Sequence, residues 1–270
     1  MTVKTTQQIQ AEKIKRRQLQ MKQQRQQQIK NVQAADRAKR QVTHKFNNPA
    51  TQINQTPWLE QYNKTAYVIG GGPSLVGFKW NLLSNKFVVG INRAYEVLPE
   101  AQVIYFTDDD WYNQHKVALH AHKGTKIKGS LSPVKLGNNT DIYQFHLTGP
   151  TGLDMTAGSL RHGSNSTYAV LNMLCQWGFK TIYLLGVDLK WKTVSIGGIK
   201  GKNKKTHWHS GHRRIDGEAL YTRLSKNFEQ LAPMLKEHDV TVINVNNDTK
   251  LKAFPVKKYE EVFGPDCFAH

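Results

Sequence analysis

The chain has 270 residues, of which 39% are hydrophobic and 10% aromatic, so it can bury a core and a wholly disordered protein is excluded. Its 38 Lys and Arg residues against 20 Asp and Glu residues give a formal charge of +18, which favours an anionic partner. Two cysteines cannot build a disulfide framework and favour a reducing compartment. The sequence contains no apolar run long enough to predict a membrane span, and its polar start is not typical of a secretory signal.

Residues 1–45 differ in composition from the rest and form a basic, Gln-rich arm. They hold twelve Lys and Arg, two acidic residues and twelve Gln, without Gly or Pro. Three interpretations fit this composition: a solvated, partly disordered tail, an arm that lies along nucleic acid, or a helix that docks on a protein partner. Residues 46–63 contain two Pro and four Asn and are predicted to be a linker. Residues 64–270 are then the folded domain.

From Lys64 onward the sequence predicts alternating strands and helices. The predicted strands are 65–69, 87–91, 102–106, 126–129, 181–187 and 240–245, and the predicted helices are 166–177 and 215–231. Asn165 or Ser166 could cap the first helix, and Pro233 is expected to stop or kink the second. Apolar strands that alternate with helices indicate a mostly parallel sheet covered on both faces. We therefore predict a Rossmann-like α/β fold.

Ligands of such folds bind beyond the carboxyl ends of the strands, near the point where the strand order reverses. Small or polar residues follow four of the predicted strands. They are Gly70–Ser74, Asn92-Arg93, Thr107–Asp110 and Asp188–Lys192. We expect the site to be assembled from them.

The turn Gly70–Ser74 follows the first strand, which is the context of a phosphate-binding turn. It is not a P-loop, because no Gly-Lys-Ser/Thr follows, and Leu75 stands where the dinucleotide fingerprint has its third glycine. The alternative is a tight turn with only a structural role.

Two further clusters carry candidate chemistry. Asp108, Asp109 and Asp110 could ligate Mg²⁺, or they could be the acidic start of a helix with Asp108 or Asp109 as its cap. Residues 200–214 form a predicted basic loop with histidines at 207, 209 and 212. Its cations oppose zinc binding, so we expect either a histidine base beside an anionic substrate, with Lys and Arg holding the anion, or a solvated loop.

Between residues 65 and 246 the sequence contains a series of short motifs. They are Gly70-Gly71-Gly72-Pro73-Ser74-Leu75, Asn92, Asn165-Ser166-Thr167, Gly178-Phe179-Lys180, Ile182-Tyr183-Leu184, Gly186-Val187-Asp188, His207-Trp208, and Gly211-His212 before Asp216. In order and spacing they resemble the bacterial sialyltransferase family that uses CMP-activated sugars. The glycine turn also resembles that of a related group, similar to archaeal-type hydroxymethylpterin pyrophosphokinases, whose wider group occurs in tailed bacteriophages.

The resemblance implies a nucleotide-dependent transferase of glycosyltransferase type with His212 as its catalytic base. Lys190 and Lys192 stand where the sialyltransferases place tyrosine hydroxyls on the leaving phosphate, and a lysine can stabilise that charge. The predicted nucleotide-binding residues, taken from the motifs and the strand ends, are Gly70, Gly71, Gly72, Ser74, Asn92, Thr107, Asp108, Ser166 and Asp188. The expected partner is a nucleotide or nucleotide-sugar.

Two alternatives stay open. The aspartate triplet is foreign to the sialyltransferases and would suit a magnesium-dependent, pterin-type pyrophosphokinase. In a phage virion or DNA-associated structural protein, the arm would provide the function and bind nucleic acid. These alternatives place the protein in the cytoplasm or in a virion.

Overall fold

The computed structural model describes residues 53–131, 141–190, 192–196, 199–205, 207–209 and 218–269. Their core is a parallel sheet of nine strands. The strands in this described part of the chain are β1 (Thr65–Ile69), β2 (Val88–Ile91), β3 (Val103–Phe106), β4 (Thr125–Ser130), β5 (Ile142–Gly149), β6 (Ser159–Arg161), β7 (Thr181–Leu185), β8 (Lys192–Ile196), β9 (Ile199–Lys205), β10 (Thr241–Val245) and β11 (Val256–Lys257). The nine-stranded sheet has the order β11-β10-β7-β1-β2-β3-β4-β5-β6, whereas β8 and β9 pair antiparallel as a separate hairpin.

Within the described residues, five α-helices accompany the strands. They are α1 (Thr56–Gln61), α2 (Asp109–Ala121), α3 (Ser166–Gln176), α4 (Glu218–Glu237) and α5 (Tyr259–Phe263). The hydrophobic residues of α1, α3 and α4 pack on one face of the sheet. Those of α2 and α5 pack on the other, together with three 3₁₀ turns at Pro73–Leu75, Trp80–Leu83 and Asn92–Glu96. Strands such as β3 are buried along their whole length, as expected of a parallel sheet covered on both sides. The predicted Rossmann-like α/β fold is confirmed.

The structure corrects two predictions about particular segments. Residues 200–205, the first part of the loop predicted at 200–214, belong to strand β9 (Ile199–Lys205). Helix α4 continues through Pro233 to Glu237, so this proline does not stop it. Pro233 is exposed, while Leu231 and Leu235 on either side are buried, and the continued apolar face offsets the loss of one backbone hydrogen bond.

Residues 53–61, in the predicted linker, contact the core. Trp58 of α1 packs against Phe87 and Trp177, with ring centroids 5.1 and 5.8 Å apart. The sequence did not predict strands β5, β6 and β11. Each is an edge strand or lies next to one. Strands β6 and β11 have only three and two residues, and β5 has mixed polarity, which weakens the sequence signal.

The strand order reverses between β1 and β7. The chain proceeds from β1 to β6 in one direction across the sheet and then returns to β7 on the opposite side of β1. Beyond the carboxyl ends of these two neighbours lies the crevice in which open α/β sheets bind ligands. Among the helices that the structure describes, none has the length and apolar character needed to cross a bilayer.

Candidate functional site

The glycine turn lies at the reversal point and is joined to the end of β7. The Gly70 amide donates to the Leu185 carbonyl and the Gly72 amide to the Gly186 carbonyl, both at 2.8 Å. A β-carbon at residue 72 would lie 2.6 Å from both the Gly186 oxygen and the Asp188 carboxylate. Glycine is therefore required here for close approach to β7. In the described part of the chain, the amide of Gly71 has no such acceptor.

Asp188 anchors a closed polar cluster next to this turn, which we call the Asp188 cluster: Ser74, Asp188, Asn246 and Tyr259. The Asp188 carboxylate accepts hydrogen bonds from the Ser74 amide (2.8 Å), the Ser74 hydroxyl (2.6 Å) and the Asn246 amide (2.6 Å). The Tyr259 hydroxyl lies 3.1 Å from Ser74 Oγ and accepts from the Gly186 amide at 3.2 Å. The cluster joins the ends of β1, β7 and β10 to α5.

Burial dominates the electrostatics of the Asp188 cluster. Asp188 is 3% exposed, and this burial raises the pKa of its carboxyl, against the opposing effect of hydrogen bonds from Ser74 and Asn246 and of the nearby Lys190 charge. Burial likewise raises the pKa of the Tyr259 hydroxyl. Ser74 and Asp188, both predicted to bind nucleotide, are thus hydrogen-bonded to each other.

Residues 207–209 lie over the exposed side of the glycine turn. The Trp208 amide donates to the Gly71 carbonyl at 2.8 Å, and its indole N–H donates to the Gly70 carbonyl at 3.2 Å. The His207 ring lies so close to Gly71 that a β-carbon there would overlap it. His207 and His209 face each other, with ring centroids 5.1 Å apart.

Arg93 brings a positive charge to the same place. Asn92, in the left-handed region at φ 52°, begins the 3₁₀ turn that follows β2. Arg93 pairs with Glu96 through two hydrogen bonds of 2.6 and 2.8 Å, and its Nη1 lies 3.4 Å from His209 Nδ1. We call Gly71, Arg93, His207 and His209 the Gly71 cluster. The Arg93 side chain is one quarter exposed, whereas Asp188 is 3% exposed.

The aspartate triplet begins helix α2. The Asp108 carboxylate accepts from the Trp111 amide at 2.6 Å, which confirms its predicted role as a helix cap. Lys128, 1% exposed, donates to the Thr107 carbonyl at 3.0 Å and pairs with Asp109 at 2.6 Å. Two of the three carboxylates thus have protein partners. The described residues contain no group of three His, Cys, Asp or Glu side chains placed to hold a metal ion.

The remaining predicted residues lie at other points of the carboxyl edge or outside the described residues. Ser166 is the first residue of α3, and Asn165 is its cap, accepting from the Thr167 amide at 2.8 Å. Lys190 forms an ion pair with the exposed Asp248, and Lys192 begins β8. His212 and the neighbouring Asp216 lie outside the described residues, as does residue 206.

Two members of the Asp188 cluster were not predicted from the sequence. Asn246 directly follows the last predicted strand, so the rule that gave the other strand-end residues would have found it. Tyr259 carries no such signal, because it is placed by the docking of the short helix α5.

Comparison of the chain with protein-family models, with curated proteins and with solved structures gave no match.

Proposed function

We propose that this protein is a nucleotide-dependent transferase of glycosyltransferase type that holds the phosphate groups of its donor at the Gly71 cluster. The observation that carries the proposal is the position of this cluster at the reversal of strand order. There the His207 imidazole lies against Gly71, His209 lies beside His207, and the Arg93 guanidinium lies 3.4 Å from His209 Nδ1. Guanidinium groups and backbone amides are preferred donors to phosphate oxygens.

In this proposal the two clusters have separate tasks. The Asp188 cluster fixes the ends of β1 and β7, because its polar atoms are already bonded to one another. The Gly71 cluster supplies partly exposed guanidinium and imidazole groups that would contact the donor phosphates. Asn92, Thr107 and Ser166 lie at the ends of β2 and β3 and at the start of α3, where they would contact the rest of the nucleotide.

The proposed reaction requires a base and a stabilised leaving group. His212 takes the proton from an acceptor hydroxyl, and the hydroxyl oxygen bonds to the anomeric carbon of the donor sugar. The bond from that carbon to the donor phosphate breaks, and its electron pair leaves on the phosphate oxygen. Arg93, Lys190 and Lys192 are the cations assigned to stabilise that charge.

The pyrophosphokinase alternative is less favoured on geometric grounds. It needs carboxylates free to hold magnesium, whereas Asp108 caps a helix and Asp109 pairs with the buried Lys128. Metal binding there would have to break both contacts.

A thermal-shift screen of the full chain tests ligand binding first. CMP, UDP, GDP and ATP are each added with and without Mg²⁺. A nucleotide at one hundred times its Kd stabilises the folded state by about 2.7 kcal/mol and raises the melting temperature. We expect at least one of the four to do so without Mg²⁺. If none does, the proposal fails.

Donor hydrolysis then tests the assigned base. His212→Ala is expected to lower the turnover of an activated sugar by roughly 10²- to 10⁴-fold while nucleotide binding is kept. The exposed His238→Ala is the matched control. Equal turnover in all three proteins would remove His212 from the mechanism and leave the binding proposal standing.

A further inference from the structure

The hairpin formed by β8 and β9 stands apart from the nine-stranded sheet. It is inserted between β7 and α4 and shares no strand pairing with the main sheet. An isolated two-stranded hairpin is marginally stable in water. The composition of β9 does not improve its stability, because Lys, Gly and Asn, which make up six of its seven residues, have low strand propensity.

Every charged residue of the segment 189–215, which contains the hairpin, is basic. Residues 189–215 contain eight Lys and Arg residues and no Asp or Glu. Five of these lysines belong to the hairpin: Lys192, Lys200, Lys202, Lys204 and Lys205. No acidic residue in this stretch is available to neutralise them.

The strand register places like charges opposite one another. Lys192 pairs with Lys205 across the hairpin, and Lys204, on the opposite face, pairs with Thr193. Like charges directly opposite destabilise an antiparallel pair. Lys200, Lys202 and Lys204 occupy every second position of β9, whose register with β8 shifts between Val194 and Ile196.

We propose that the β8–β9 hairpin binds the phosphate backbone of nucleic acid. Lysines at every second residue along an extended strand of about 20 Å match a linear polyanion, whereas a single nucleotide carries its charge within one site. A membrane-binding element needs one continuous apolar face, and lysines stand on both faces of this hairpin. Binding through phosphates alone is independent of base sequence. This role rests on the lysines of β9 and is separate from the role proposed for Lys192 of β8 in the transferase site.

The test uses the full chain and fluorescent 20-base-pair DNA duplexes of two unrelated sequences, with anisotropy measured across a salt series. The hairpin variant carries Lys200→Gln, Lys202→Gln and Lys204→Gln. The control variant, Lys226→Gln, Lys236→Gln and Lys252→Gln, removes the same charge from exposed positions elsewhere. We expect the hairpin variant to bind at least tenfold more weakly at about 0.1 M salt and to lower the salt slope by two to three, at about 0.9 per lost phosphate contact. The control should change affinity less than threefold.

Two outcomes would overturn the inference. One is equal affinity and equal salt slope for the hairpin and control variants, with melting temperatures that show both to be folded. The other is binding of phosphatidylglycerol vesicles by the wild type without binding of either duplex.

Lysine acetylation read by mass spectrometry gives a test without mutation. Duplex DNA is expected to protect Lys200, Lys202, Lys204 and Lys205 from acetylation. Protection confined to lysines of residues 1–45 would assign nucleic-acid binding to the arm and contradict a role of the hairpin.

Discussion

The Asp188 cluster and the Gly71 cluster lie side by side at the same sheet edge and differ in what their polar atoms do. In the Asp188 cluster the carboxylate is buried and receives three hydrogen bonds from Ser74 and Asn246. In the Gly71 cluster the Arg93 side chain is one quarter exposed, and the His207 imidazole lies against a glycine whose amide is not used by the sheet. The polar residues at these strand ends thus divide into a buried group whose members bond to one another and a partly exposed group, which we propose as the ligand-binding part.

The largest expected effect is on stability and belongs to the closed cluster. Asp188→Asn replaces one carboxylate oxygen with an NH2 group, so the Ser74 or Asn246 donors that bond to that oxygen lose their acceptor. We expect it to lower the free energy of unfolding by about 3 kcal/mol in urea denaturation. Asp248→Asn, at an exposed position in the same loop, is the control and should cost less than about 1 kcal/mol. Equal losses would show that the Asp188 cluster is not a structural anchor.

Tyr259→Phe tests how far the same cluster extends into α5. The substitution removes a buried hydroxyl that bonds both the Gly186 amide and the Ser74 hydroxyl. The expected cost is about 1–2 kcal/mol in the free energy of unfolding. Tyr183→Phe removes a hydroxyl from a half-buried ring that stacks on Tyr67 and should change stability by less than about 0.5 kcal/mol. A smaller loss for Tyr259→Phe than for this control would separate α5 from the cluster.

The sequence predicted the sheet well because its strands are strongly apolar. Strand β1 was predicted with both its ends, and β2, β3, β7 and β10 to within one or two residues. Edge strands and the β8–β9 hairpin were missed because their residues are mixed or basic, and their pairing is set by contacts that no local pattern encodes.

The sequence predicted that the strand-end residues would gather at one edge of the sheet, but it did not predict which of them bond to one another. The gathering could be predicted because parallel strands place their carboxyl ends together. That Ser74 and Asp188 bond each other, 114 residues apart in the sequence, depends on the approach of β7 to β1. Spacing along the chain carries no information about such a contact.

A smaller effect is expected on the pH dependence of stability, through His115 and the nearby charge of Arg93. Burial, and then the Arg93 charge, lower the pKa of His115, whose Nδ1 lies 2.8 Å from the Tyr95 hydroxyl. The unfolded chain therefore binds the proton more readily, and this contribution to stability is lost as the pH falls from about 6.5 through the lowered folded value. Thermal melting of His115→Gln should vary less between pH 7.5 and 5.5 than that of the wild type. Parallel curves for the two proteins would contradict this, and the exposed His238→Gln is the control.

The central claim is tested most directly by isothermal titration of Arg93→Gln with the nucleotide that most stabilises the wild type. Arg93 pairs with the partly exposed Glu96, so its replacement should cost less than about 1 kcal/mol of stability. If Arg93 holds donor phosphate, the affinity should fall at least tenfold, at about 1.4 kcal/mol per factor of ten, while Arg223→Gln on the exposed side of α4 binds as the wild type does. Unchanged affinity in a folded Arg93→Gln protein would contradict the assignment of the Gly71 cluster as the phosphate site.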